Sequence, residues 1–195
     1  MIRIGLVIMA SGKSVRFGRE KLMEPLDDKP LIGWILQTTQ DLFETRVVVT
    51  RSIKVKDFAS DLGIDCILHD MPHRNDTVRL GLGALKDEID YCFFVPGDQP
   101  LITRDTFEKL RDEAKKTSEK MIRTQFGEAV GSPIGFPKSL FEELLRLPEG
   151  KGGNYLTAKY ASMVHIVPVK EEYELWDVDT TEDLDKIKNI LQNMK

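Results

Sequence analysis

Ile4-Gly5-Leu6-Val7-Ile8-Met9 runs straight into Ala10-Ser11-Gly12-Lys13-Ser14-Val15-Arg16-Phe17-Gly18-Arg19-Glu20-Lys21, and this junction decides the fold. The first six residues form a short, continuous apolar run, as expected of a parallel strand buried on both faces. The next twelve hold two glycines and four basic residues. Small residues directly after a buried strand let the backbone come close to a ligand and turn its N–H groups toward phosphate oxygens. The alternative is a flexible surface loop with solvated cations. That small residues and cations coincide after the first strand favours the ligand-binding reading.

Further along the chain, similar strands alternate with helical patterns. Leu31, Ile32, Ile35, Leu36 and Leu42 recur at helical spacing, with Pro30 suited to the first turn. Strands are expected at 46–50, 65–68, 91–95, 121–125 and 164–169. Helices are expected at 55–62, 77–85, 103–115 (with Thr103 as cap), 139–147 and 181–194, plus a short one after Gly153. A Gly/Pro-rich passage separates the strand at 121–125 from the helix at 139–147. Alternating strands and helices predict a predominantly parallel, three-layer α/β/α domain over residues 1–195. Ligands then bind at the carboxyl ends of the strands, after Met9 and Val95.

Composition narrows the partners. Hydrophobic residues make up 41% and charged residues 31% of the 195, with a net charge of -4, so no global field draws the protein toward nucleic acid or anionic lipid. Small molecules are the expected partners, with no nucleic acid and no membrane. Cys66 and Cys92 are isolated inside apolar runs and read as buried, reduced thiols. Met1-Ile2-Arg3 leads into the first strand without a secretory pattern, and no stretch nears the ~20 apolar residues of a membrane span. A cytoplasmic location follows as an expectation.

Two phosphate-binding patterns fail on spacing. Gly12-Lys13-Ser14 ends like a P-loop, but GxxxxGK[ST] needs glycine at position 7, which is Val7. GxGxxG has no match after the strand. Farther on, Pro96-Gly97-Asp98-Gln99-Pro100-Leu101 puts a lone carboxylate at a strand's carboxyl end, placed either to hold Mg²⁺ or to cap the next helix. Asp177-Val178-Asp179-Thr180-Thr181-Glu182-Asp183 opens the last helix, with Asp179 or Thr180 as its cap. Asp76 could likewise be a cap. Pro72 opposes a helix that would pair His69 with His73 on a metal, and His165 reads as structural.

The first loop resembles the nucleotidyltransferase signature (L/M)AxGxSxRFGxxK at every defined position, from Met9 to Lys21, and the likeness continues through Pro25-Leu26 to Lys29-Pro30-Leu31. Within that GT-A-like superfamily the chain is similar to the molybdenum cofactor cytidylyltransferases, the molybdopterin-nucleotidyltransferase-like family. The resemblance implies a Rossmann-like, nucleotide-diphospho-sugar transferase-like sheet. It also implies Mg²⁺-dependent transfer of a nucleoside monophosphate from a triphosphate, CTP favoured, to a phosphorylated acceptor, molybdopterin foremost. CTP is favoured because Ser11 carries a side chain where guanylyltransferase relatives tend to have glycine.

Carried over residue by residue, the resemblance gives Arg16, Lys21 and Asp98 catalytic roles. Ala10, Ser11, Gly12, Lys13, Ser14, Thr77, Gly81 and Gly97 join Arg16 and Lys21 around the nucleotide. Asp98 and Asp179 would hold the metal, with Asp177 as the substitute for Asp179, and Gln99, Gly131 and Pro133 would face the acceptor. A transient contact with an enzyme that receives the product is also implied. Glycine stands in Leu147-Pro148-Glu149-Gly150-Lys151-Gly152-Gly153 where the molybdopterin branch has an aspartate, so the likeness thins where the acceptor is chosen. The alternatives are a sugar phosphate or isoprenoid-precursor phosphate as acceptor, or a non-catalytic nucleotide-binding protein.

Overall fold

In the computed structural model, which describes residues 2–14 and 16–193, β1 (Ile4–Ala10) is the hub of a seven-stranded sheet. Val15 of the first loop and Met194, the expected end of the last helix, lie outside the described residues. A two-stranded ribbon, β2 (Pro25–Leu26) and β3 (Lys29–Pro30), leads into α1 (Leu31–Thr38); β4 (Thr45–Thr50), α2 (Ile53–Asp61), β5 (Asp65–Leu68), α3 (Arg74–Leu85) and β6 (Tyr91–Pro96) follow. The second half holds α4 (Arg104–Lys116), β7 (Met121–Phe126), β8 (Ala129–Pro137), α5 (Phe141–Leu145), α6 (Asn154–Lys159), β9 (Val164–Pro168) and α7 (Thr181–Asn193). The sheet order is β5-β4-β1-β6-β8-β7-β9, and β8 alone runs antiparallel to its neighbours.

Alternation along β1 builds the layers. Ile4, Leu6 and Ile8 face a core closed by Leu31, Ile32 and Ile35 of α1, Val55 of α2, Phe107 and Leu110 of α4 and Ile187 of α7. Val7 faces the other side, where Val78 and Leu82 of α3, Leu144 of α5 and Leu156 of α6 cover the sheet. A strand buried on both faces has no polar face to offer, which is why residues 4–9 are almost uniformly apolar. Helix α3 approaches β1 closely at Gly81, where a Cβ would lie 2.4 Å from Val7 Cγ1. The chain leaves β1 toward β4 and β5 on one side, then returns to β6 on the other, so a topological crevice opens at the carboxyl ends of β1 and β6.

Several expected elements are corrected. The Gly/Pro-rich passage is in fact β8, paired with both β6 and β7. Its glycines make room for neighbouring rings: a Cβ at Gly135 would come within 2.5 Å of both the Tyr91 and Phe93 rings. The helix expected at 139–147 shrinks to a 3-10 turn at Lys138–Leu140 followed by α5. Helix α3 begins at Arg74, one turn before Thr77, and Asp76 is its third residue, reaching back to accept from His73 N at 3.2 Å. Pro30 is the N-cap of α1, one residue before the helix. Cys92 is buried, but Cys66 is only half-buried.

Candidate active site

The backbone at the end of β1 opens into the crevice because its side chains are small. A Cβ at Gly12 would meet nothing within 4 Å. Ser14 takes a left-handed φ of 50°, a conformation that costs energy outside glycine and tends to collect at functional loops. Its carbonyl accepts from Phe17 N and Gly18 N at 3.1 and 3.0 Å. Phe17 and Leu22 are buried, so the basic loop is pinned to the core at both ends of its turn.

Lys21 is carried inward by this anchoring and is 6% exposed. Its Nζ donates to Asp98 Oδ2 at 2.5 Å, Val178 O at 2.6 Å and Asp179 Oδ1 at 3.2 Å. Arg16 Nη2 donates to Asp179 Oδ2 at 2.8 Å. Burial pulls the Lys21 ammonium down, but the charges of and hydrogen bonds to Asp98 and Asp179 outweigh it and hold the group above the ordinary lysine range.

Two backbone bonds fix the acidic side. Gly97 N donates to Met9 O at 3.0 Å, joining the ends of β6 and β1, and Val178 N donates to Asp98 O at 3.0 Å. The cap of α7 is Thr180: its Oγ1 accepts from Asp183 N, while Asp183 Oδ2 accepts from Thr180 N. This reciprocal cap leaves the Asp179 carboxylate to face Lys21 and Arg16. Asp177 opens to solvent at the mouth of the cleft. Even so, protein packed around it strips water and, with the nearby charge of Asp98, lifts its carboxyl to about 6, against a hydrogen bond from Gln99 and the charge of Lys21.

These elements enclose a cleft of about 540 Å³. Ser11, Gly12, Lys13, Ser14, Arg16, Lys21, Thr77, Asp98, Asp177 and Asp179 all line it, and so do Met71, Pro72, His73 and Arg74. Ala10 lines a neighbouring hollow of about 420 Å³ on the other side of the loop. Gly81 and Gly97 do not line the cleft: the first packs on Val7, and the second lies beside Ile32 and Met9 O. Gln99 is buried, donating to Leu175 O at 3.3 Å. Gly131 lies against Leu175, and Pro133 follows a cis peptide within β8; none of these three reaches the cleft wall.

Sequence reasoning passed over several contributors. Ser11 Oγ donates to Val49 O at 3.0 Å and lies 2.8 Å from His69 Nε2, so His69 buttresses the first loop. His165 pairs with Glu113 at 3.2 Å, at a distance from the cleft. Arg74 was visible as a cation beside a helix start, the only signal pointing to it. Glu174 is 1% exposed and accepts from Thr103 N and Oγ1, Thr106 Oγ1 and Lys170 N. It fastens the 3-10 turn at Glu172–Leu175, which leads to Asp177 and Asp179, onto the start of α4; nothing in its own sequence neighbourhood marks it.

Asp98 and Asp179 already gather around a cation, the Lys21 ammonium, so their oxygens fit a divalent ion in character. Among the described residues no group of three or more His, Cys, Asp and Glu is arranged to hold a metal by itself. An ion here would therefore take its remaining ligands from substrate oxygens, as Mg²⁺ commonly does with one or two carboxylates and phosphates. Among the described residues, no helix is long and apolar enough to cross a membrane.

Comparison with known proteins agrees with the fold. Residues 6–164 match the model of the MobA-like NTP transferase domain. The chain is 27% identical over 199 residues to a Thermococcus sibiricus protein named probable molybdenum cofactor guanylyltransferase, covering 95% of this chain and 98% of that one. It is 31% identical over 107 residues to the 3-deoxy-manno-octulosonate cytidylyltransferase of Acaryochloris marina, spanning 53% of this chain and 43% of that protein. The solved structure of Rv0371c from Mycobacterium tuberculosis superposes with a TM-score of 0.84 over 97% of this chain and 99% of that chain, at 22% identity, a likeness of fold.

Proposed function

The chain belongs to the MobA-like NTP transferase domain family and is a nucleotidyltransferase; from this premise we propose that it transfers CMP from CTP to the phosphate of a molybdopterin-type acceptor and releases pyrophosphate. The observation that carries the reading is the convergence of Arg16, Lys21, Asp98 and Asp179 beneath an open, small-residue loop. Residues 165–193 lie beyond the family match yet supply Asp177 and Asp179, which supports reading the whole chain as one domain.

An acceptor phosphate is already ionised at neutral pH, so its oxygen attacks the α-phosphorus in line without a dedicated base. The protein's work is to hold two polyanions together and stabilise the charge that develops. Lys13, Ser14 and the amides around Gly12 cradle the triphosphate, and Arg16 and Lys21 neutralise the α-phosphate and the departing pyrophosphate. Thr77 faces the nucleotide from α3. Asp98 and Asp179, with Asp177 as the substitute for Asp179, would hold Mg²⁺, which would supply positive charge to the phosphates. Gln99 steadies this group from behind, and Gly131 and Pro133 shape β8 next to the acceptor side.

The Ser11 side chain at the loop's second position supports CTP. A second reading, GMP from GTP, is favoured by the near full-length likeness to a protein named as a guanylyltransferase. Pyrophosphate release measured with molybdopterin and each of CTP, GTP, ATP and UTP tests the proposal. Release with CTP supports it, release with GTP alone moves it to guanylyl transfer, and none with any of the four contradicts it.

A further inference from the structure

The Ser11 hydroxyl is held from two sides. Its Oγ donates to Val49 O at 3.0 Å and lies 2.8 Å from His69 Nε2. A hydroxyl has one hydrogen, and this one is committed to Val49 O, so Oγ accepts from His69 and the imidazole carries its proton on Nε2. The other ring nitrogen, Nδ1, is buried and has no hydrogen-bond partner among the described residues. A proton there would be a buried donor with nothing to receive it. Burial, and after it the charge of Arg51, also hold the imidazole below the ordinary histidine range, against Asp76 and Asp70.

The backbone around this pair is pinned. His69 N donates to Thr50 O at 3.0 Å, extending the pairing of β5 with β4. Thr50 Oγ1 donates to Ala10 O at 3.0 Å, and Arg51 Nη2 donates to Asp70 O at 3.3 Å. The ends of β1, β4 and β5 thus keep ring and hydroxyl in one register. Ser11 lines the cleft, and among the described residues its hydroxyl has no third partner. With its hydrogen and one lone pair engaged, the hydroxyl has only a lone pair left to offer.

Resting on the nucleotidyl-transfer reading, we propose that His69 is a positioning residue for nucleobase choice: it holds the Ser11 hydroxyl as an acceptor toward the cleft, so the site takes cytosine and turns uracil away. The two bases differ there by an amino group in cytosine and a carbonyl oxygen in uracil. To receive uracil the hydroxyl would have to turn its hydrogen into the cleft and present a lone pair to Val49 O. The His69 N–H holds the Ser11 rotamer in which this applies; without it the side chain can turn and give its hydrogen to the base.

The test is calorimetric titration of the full-length protein with CTP and with UTP, each with Mg²⁺ and no acceptor. The variants are His69→Gln, whose amide reaches the Nε2 position, His69→Asn, whose amide stops at the Nδ1 position, and His69→Leu. Wild type and His69→Gln should bind CTP about tenfold or more tighter than UTP, the scale of one mismatched polar contact. In His69→Asn and His69→Leu the ratio should fall to about threefold or less. An unchanged ratio in these two, with both nucleotides weakened alike, would make the histidine merely structural and overturn the proposal. Equal binding of CTP and UTP by wild type, or binding of GTP with neither pyrimidine nucleotide, overturns it while leaving the transfer reading standing. If no triphosphate binds, the transfer reading fails and the proposal falls with it. The imidazole ¹⁵N spectrum of the free wild-type protein at pH 7.5 adds a check that needs no nucleotide: a neutral ring protonated on Nε2 is expected, and a ring protonated on Nδ1 contradicts the proposal.

Discussion

Lys21 Nζ stands 2.5 Å from Asp98 Oδ2, joining the loop after β1 to the turn after β6 across 77 positions of sequence. The ammonium occupies the point where two carboxylates and the loop after β1 meet, and on the proposed reading each partner takes part in transfer. Removing either should lower turnover by ~10²-fold or more, the order expected when a preorganised electrostatic group is lost. Asp98→Ala and Lys21→Ala should keep their far-ultraviolet circular dichroism. The check is pyrophosphate release under saturating substrate; near-normal turnover in either variant removes that residue from the mechanism.

The same pairing predicts a metal effect that needs no turnover. In Lys21→Ala no ammonium neutralises Asp98 and Asp179, so the acidic pair attracts a divalent ion more strongly when no nucleotide is bound. Mn²⁺ should therefore raise the melting temperature of Lys21→Ala more than that of wild type. An equal response would mean that the two carboxylates do not share an ion.

Glu174 ties the segment carrying Asp177 and Asp179 to α4 through Thr103, Thr106 and Lys170. Glu174→Ala strands these donors in a buried place, at a cost of about 3 kcal/mol, or a fall of about 6–12 °C in melting temperature for a chain of this length. Calorimetry checks this, and an unchanged melting point would show that the network carries little.

Gly81→Ala tests the contact between α3 and β1. The added methyl would lie 2.4 Å from Val7 Cγ1, and overpacking of this kind costs about 1–3 kcal/mol. Denaturant unfolding should show a lower midpoint with an unchanged slope. A neutral result would mean that the helix shifts freely.

Burial pushes the Cys66 thiol up to about 11, with Lys56 opposing, and Cys92 is pushed up further by complete burial. Raised thiols stay protonated, so both cysteines should react with iodoacetamide at pH 7.5 far more slowly than a free thiol of ordinary pKa, about 8.5. The Cys66 rate should climb only as pH approaches 11. Rapid alkylation of Cys66 at neutral pH would contradict its packing.

The parts that could be read from sequence are those written in one stretch. Residues 4–21 carry a strand and the small, basic loop after it together, and Pro96-Gly97-Asp98 ends a strand with its acid, so both arrangements were legible in the sequence. Strand β8 was not: Gly131, Pro133, Gly135 and Pro137 look like breakers until the Tyr91 and Phe93 rings on the neighbouring strand explain why Gly135 must be small. The pairing of Lys21 with Asp179, the network of the buried Glu174 and the place of Arg74 in the cleft wall each depend on segments that meet only after folding. Local patterns do not encode such meetings.

The most direct test of triphosphate binding between the β1 loop and Asp98 is the melting temperature of wild type and Asp98→Ala with CTP, GTP, ATP and UTP, each with and without Mg²⁺. At 100 times its Kd a ligand adds about 2.7 kcal/mol, which is about 5–10 °C here. The account predicts a shift of that size for wild type with CTP and Mg²⁺, much reduced without Mg²⁺ and in Asp98→Ala. No shift with any of the four, or an equal shift in Asp98→Ala, would contradict it.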